Sequence, residues 1–211
     1  MSLFFVQGLN GLQFGVLLFL MAAGLTLVFG IMNFVNLAHG SLYMMGAFIA
    51  ASLYNFTGSF WLATVGMIPA MSLLGLIMER IALYKLYDRD HLDQVLATFG
   101  LILFFNELAR TIWGSAPYYM QVPEALSGTI ALFGIDYPAY RFAIIVVGLL
   151  VAALCYLLIH HTRIGMLIRA GSSNRVMVAA LGVNIKLLNS MLFALGAALA
   201  GVAGLMAGPI I

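Results

Sequence analysis

Apolar runs of about twenty residues, the length that crosses a bilayer, alternate with short polar connections along this chain. The runs read as 9–30, 34–54, 60–84, 95–113, 141–160 and 187–207. Lipid offers the backbone no hydrogen-bond partners, so a run of this length predicts a membrane-crossing helix. The pattern therefore predicts an all-α, polytopic transmembrane helical bundle with about six spans.

The connections differ in charge. Residues 79–93 hold three basic side chains (Arg80, Lys85, Arg89) among four acidic ones. Residues 114–140 hold Glu124, Asp136, three prolines and no Lys or Arg. Residues 163–186 hold Arg163, Arg169, Arg175 and Lys186 and no acid. Lys and Arg near helix ends mark the cytoplasmic side. That rule puts 85–93 and 160–186 in the cytoplasm and 114–140 outside, and counting spans backwards puts the N-terminus outside. A broken or re-entrant piece at 31–40 would invert the N-terminal orientation.

Composition agrees with the pattern. Hydrophobic residues make up 64% and charged residues 8%, where a soluble domain carries about a quarter charged residues. The chain is an integral membrane protein. Cys155 is the sole cysteine, which excludes an intrachain disulfide and a cysteine-based metal site. The N-terminal MSLFFVQGLN lacks the basic region of a cleavable signal peptide. No Gly-rich phosphate loop occurs, so any ATP must bind another chain and no cofactor is expected on this one. Membrane lipid is an expected partner and nucleic acid is not.

Three polar constellations interrupt the apolar pattern. Asn33, Asn36 and Gly40 fall on one helical face at spacings of three and four, with His39 beside them. Polar side chains inside a membrane face the bundle or a water-filled path. One reading is a discontinuous helix whose freed backbone and amides line a solute route. The other is that the asparagines bond neighbouring helices and His39 satisfies a local carbonyl. In the fourth run, Asn106 and Glu107 precede Arg110, and an acid and a base three apart on a helix pair to lower the cost of holding either in lipid. Glu107 reads as the only acidic residue well inside an apolar run, and Arg110 is close enough to the outer end to snorkel. A proton relay or substrate-amine contact competes there with a neutralised structural pair. His160 and His161 suit a helix C-terminus without any metal.

The third constellation is 163–186. Ser172, Ser173 or Asn174 is a candidate N-cap, and Gly182 with Asn184 a candidate stop, which predicts a short helix over 175–181. Its Val176, Met177 and Leu181 need a cover. Either the helix lies on the lipid interface with its arginines on acidic headgroups, or it docks in a groove on a cytoplasmic protein. In the last run, Gly196, Ala200, Gly204 and Gly208 recur every four residues, with Ala197 and Gly201 as a parallel small pair. Such spacing lets helix backbones approach closely, here for packing within one chain rather than across a dimer.

Several stretches, in their order and spacing, resemble a known family. They are Gly24-Leu-Thr-Leu-Val-Phe-Gly30 leading into Asn36-Leu-Ala-His39-Gly40, then Leu96-Ala-Thr-Phe-Gly100. Arg169-Ala170 through Leu181-Gly182-Val183-Asn184 follows, and then Phe193-Ala-Leu-Gly196-Ala-Ala-Leu-Ala-Gly201. The family is the permease subunits of branched-chain amino-acid ABC importers, specifically the H-type half of the usual pair.

The resemblance implies two permease subunits in the cell inner membrane, two cytoplasmic ATP-binding subunits and an external solute-binding protein. Residues 1–211 are then one transmembrane permease domain. The loop at 161–186 becomes a coupling element, with Gly165, Arg169, Ala170, Asn174, Arg175, Ala179, Leu181 and Gly182 at the ATPase contact. Asn33, Asn36, His39, Gly40, Asn106 and Glu107 are the candidate translocation path. The implied cargo is leucine, isoleucine or valine moving inward, with urea and short amides as competitors. Helix N-termini and the amides of Asn33 and Asn36 would hold a carboxylate, and apolar walls the side chain.

Departures accompany the match. Asn174 stands where members commonly carry an acid, and Val176 where they carry a charge. Ser41 stands where an acid often follows His39-Gly40, and Glu107 where an amide is usual. Members continue past Gly208-Pro209 through further helices, so the chain is expected to be a fragment or a shortened product. Two readings from other classes stay open: an ion-coupled secondary transporter with Glu107 as its proton site, and a membrane scaffold without solute flux.

Overall fold

A computed structural model of the chain describes residues 2–87, 89–115, 120–132 and 135–210, without the side chains of Ser2 and Ile31. Asp88 of the 85–93 loop, residues 116–119 and 133–134 of the expected external loop, and Ile211 lie outside the described residues. The chain forms α1 (Ser2–Met32), α2 (His39–Thr57), α3 (Phe60–Met78), α4 (His91–Trp113), α5 (Ala139–His161), α6 (Arg163–Ser173), α7 (Arg175–Ala180) and α8 (Ile185–Ala207). Among the described residues, five stretches are long and apolar enough to cross a membrane: Leu3–Gly30, Phe60–Leu86, His91–Trp113, Ala139–His161 and Ile185–Ala207.

The sixth expected span, 34–54, is displaced. Asn33 adopts φ 48°, a left-handed geometry that asparagine tolerates and that stops a helix. Residues 33–36 leave the helical path, and α2 starts only at His39. Asn33, Asn36 and Gly40 therefore do not share one helical face. Spacing alone suggested a helix there, but the local hydrogen bonds of Asn36 favour a turn.

The bundle is organised around α8, which packs against α1, α2 and α3 and is buried along nearly its whole length. Small residues make these crossings close. A Cβ placed on Gly46 would lie 2.5 Å from the Cα of Gly201, and one on Gly24 would lie 2.6 Å from the carbonyl oxygen of Gly196. A Cβ on Gly204 would strike the Tyr43 carbonyl. With no hydrophobic gain between helices in lipid, such contact is what holds them. Ala200 is fully buried, while Gly208 sits beside Met120 at the end of the helix.

The hydrogen bonds sort the molecule into two ends. At one end, Tyr137 and Arg141 both donate to Asn10 Oδ1 (3.2 and 3.0 Å), Tyr140 donates to the Met206 carbonyl (3.0 Å), and Trp113 donates to Ser52 (2.6 Å). Part of the 114–140 connection there is an antiparallel hairpin of β1 (Thr129–Leu132) and β2 (Ile135–Pro138), an element the all-helical reading did not contain. At the other end lie the extension of α3, the start of α4, and α6 with α7. The two basic loops thus share one end, opposite the hairpin.

Two further departures concern that basic end. The stretch 163–173, expected as loop, is helix α6: the Thr162 hydroxyl accepts from Gly165 N (3.0 Å) and opens it. Asn174 ends α6 and opens α7, its Oδ1 accepting from Met177 N (2.9 Å). Glu79, which the expected 60–84 run and the 79–93 connection shared, lies inside the apolar span, because α3 runs on through a π-helical turn (Glu79–Leu83) and a 3₁₀ turn (Tyr84–Leu86).

Candidate functional site

The break between α1 and α2 doubles back along the last turns of α1. His39 Nε2 donates to the Met21 carbonyl (3.1 Å), eighteen residues earlier. Its ring lies against Gly24, where α1 crosses α8. Asn36 is 2% exposed, and its Oδ1 accepts from Ala38 N (3.1 Å). Among the described residues, Asn36 Nδ2, His39 Nδ1 and Asn189 Oδ1 are the buried side-chain atoms without a hydrogen-bond partner. An orphaned buried polar atom is costly, so each asks for an explanation.

Asn36 borders two apolar grooves on the outer side of α1. One, of about 260 Å³, runs between Leu25, Phe29 and Val35, and the other, of about 380 Å³, between Leu18, Met21 and His39. Asn33 and Gly40 are exposed at either side of the break. The geometry joins Asn36 and His39 into one polar spot flanked by apolar walls. Asn106 and Glu107 lie elsewhere, exposed on the outside of α4. Glu107 pairs with Arg110 at 4.0 Å with both side chains 71% exposed.

The deeply buried acid is Glu79, which corrects the expectation that Glu107 is the only one within an apolar run. Glu79 is fully buried, and its carboxyl group accepts from Tyr87 Oη (2.7 Å) and Ser190 Oγ (2.9 Å), with Arg80 Nε 3.7 Å away. Burial, and then the Glu79 hydrogen bond and charge, hold the Tyr87 hydroxyl well above the usual tyrosine range, so it stays a donor. The cluster ties α3 to α8.

Gln94 was also missed. Its Oε1 accepts from Val35 N (3.2 Å), and its Nε2 donates to the carbonyls of Leu86 (3.2 Å) and Arg89 (3.1 Å). One side chain thereby fastens the α1–α2 break to the loop after α3. The sequence signal was a buried-type run opening with an amide; nothing in spacing names its partners.

The residues of the 163–186 region face different ways. Gly165 presses against the carbonyls of Leu158 and Ile159, and Arg169 donates to the Ile159 carbonyl, so both serve the α5–α6 corner. The Ala170 carbonyl accepts from Asn174 N (3.0 Å). Beyond the corner, α7 presents an apolar ridge, with Val176 81% and Leu181 77% exposed. Gly182, at φ 84°, closes the helix. Arg175 and Ala179 look into an open cavity of about 740 Å³ that Lys85 and Lys186 also line.

Residues 8–210 match the model of a family described as branched-chain amino acid transport system, permease component. The chain is 28% identical over 221 residues to the high-affinity branched-chain amino acid transport system permease protein LivH of Escherichia coli K12, covering 98% of this chain and 71% of LivH. It is 30% identical over 216 residues to the permease protein BraD of Pseudomonas aeruginosa, covering 96% and 70%. A probable LivH of Methanocaldococcus jannaschii is 28% identical over 200 residues, covering 89% and 61%. No solved structure matches. A bundle of apolar helices built on close small-residue crossings, with an unpaired amide at a helix break, is thus placed by its sequence: the chain belongs to the family of branched-chain amino acid transport permease components.

Proposed function

We propose that this chain is one of two membrane subunits of an ABC importer, carries leucine, isoleucine or valine inward, and draws its energy from ATP hydrolysed on cytoplasmic partner subunits. An external binding protein delivers the solute. The observation that carries the reading, beside family membership, is α7. It is a six-residue helix, capped by Asn174, whose exposed Val176, Met177 and Leu181 form an apolar ridge beside cationic side chains. A ridge of this kind suits a groove on a soluble protein.

The solute route runs past the α1–α2 break. The unpaired Asn36 amide donor takes a carboxylate oxygen, and the apolar grooves beside it take an aliphatic side chain. Gln94 supplies the mechanical link, since it bonds both the break and the loop at the coupling end. The test is a single cysteine at the exposed Ala180, with Cys155 replaced by Ala, co-expressed with the ATPase subunit. A crosslink that changes between ATP-bound and nucleotide-free states is expected. Its absence in a correctly inserted protein would sink the coupling role.

A further inference from the structure

A cavity of about 740 Å³ with Tyr84, Lys85, Tyr87 and Arg89 on one side and α7 on the other gathers several cationic side chains. Lys85, Arg89, Arg175 and Lys186 all line it, and among the described residues none of the four has a carboxylate within salt-bridge distance. Lys186 Nζ sits over the Tyr84 ring, 5.3 Å from its centroid, and four like charges around one space still repel one another, so the cleft favours an anion. The back of the cavity holds Asn189, 1% exposed, whose Oδ1 has no hydrogen-bond partner.

We infer that this cleft receives an acidic segment of the cytoplasmic ATP-hydrolysing subunit, so that docking uses two elements distant in sequence, α7 and the stretch that carries Tyr84, Lys85, Tyr87 and Arg89. The inference rests on the coupling role proposed for α7 and adds the chemistry of its partner. Two observations favour a polypeptide over a lipid headgroup. Val176 of the apolar ridge lines the same cavity, so one occupant meets both surfaces. The space also exceeds that of a single phosphate group. The walls are firmly based: Tyr87, which lines the cleft, is bonded to Glu79, which is bonded in turn to Ser190 of α8.

The chain offers a direct test, because Lys85 and Lys186 are its only lysines. A zero-length carbodiimide joins a lysine amine to a carboxylate in contact with it. In the assembled complex, it is expected to link the ATPase subunit through Lys85 or Lys186, and the link is expected to vanish in the K85R/K186R variant, which keeps the charge. R89E/R175E is expected to weaken ATPase association about tenfold or more, the scale of like-charge juxtaposition at an interface. If Ala180 cysteine crosslinks the ATPase while the lysines do not, the acidic-segment inference is overturned and the α7 reading stands. If neither crosslinks, both fall. If R89E/R175E instead strips co-purifying acidic phospholipid and leaves ATPase association unchanged, the cleft is a lipid site and the inference is overturned.

Discussion

Glu79 and Ser190 lie 111 residues apart in the chain, yet the serine hydroxyl donates to the carboxyl group at 2.9 Å in a fully buried setting. With Tyr87 on the other oxygen at 2.7 Å, the acid joins the π-helical end of α3 to the start of α8. A buried carboxylate is tolerated when its oxygens are satisfied by hydrogen bonds, and both oxygens here are.

Glu79→Ala is expected to cost about 2–5 kcal/mol, since it empties a packed site and removes the acceptor of the half-buried Tyr87 hydroxyl, while Ser190 keeps the Lys186 carbonyl. Tyr87→Phe should cost less, about 1.5–3 kcal/mol, the worth of one hydrogen bond to a charged group. Thermal melting of the detergent-solubilised protein reads both. Equal midpoints for wild type and Glu79→Ala would show that the cluster holds nothing together.

The small-residue crossings of α8 make a sharper distinction between positions. Gly46→Ala and Gly204→Ala place a methyl group against backbone of the neighbouring helix, while Gly100→Ala meets nothing within 4 Å. The first two should destabilise by about 1–3 kcal/mol, as overpacking does, and the third should be neutral or better in a helix. Comparable yields of monodisperse protein for all three would contradict the packing account.

Asn36→Ala removes the unpaired donor at the break. Solute uptake by the reconstituted complex is expected to fall about tenfold, the worth of one hydrogen bond near 1.4 kcal/mol, with assembly intact. Normal uptake would take Asn36 out of the path.

Gln94→Ala leaves Val35 N and the carbonyls of Leu86 and Arg89 without their partner. Hydrogen exchange is expected to rise at 33–38 and at 86–89 together, because one side chain serves both. A rise confined to one segment would mean that the two are held independently.

The sequence revealed what composition controls and concealed what depends on distant partners. Continuous apolar runs identified α3, α4, α5 and α8, and a cap among Ser172, Ser173 and Asn174 with a stop at Gly182 identified α7, since both signals are local; the structure selects Asn174 as the cap. The α1–α2 break was misplaced because Asn33, Asn36 and Gly40 have helical spacing, and only the backbone at Asn33 shows that the helix has already ended. Glu79 fell where the 60–84 run and the 79–93 connection overlap, so its depth stayed undecided; Ser190 and Tyr87, which make its burial tolerable, are not visible from its neighbours. Glu107 looked deep for the converse reason: a helical run does not say which face is covered. Helix α6 hid behind Gly165, Gly171, Ser172 and Ser173, poor helix formers that tertiary packing overrode. Of the candidate path, Asn36 and His39 converge, whereas Asn106 and Glu107 stand on the outside of α4.

The position of α8 sets a constraint on biosynthesis. The helix that gathers α1, α2 and α3 is made after all of them, so the three earlier helices enter the bilayer before the surface that matches their glycines exists. Until α8 arrives, Gly24, Gly46 and Gly75 face lipid or one another with nothing to grip. The order of synthesis thus opposes the order of packing.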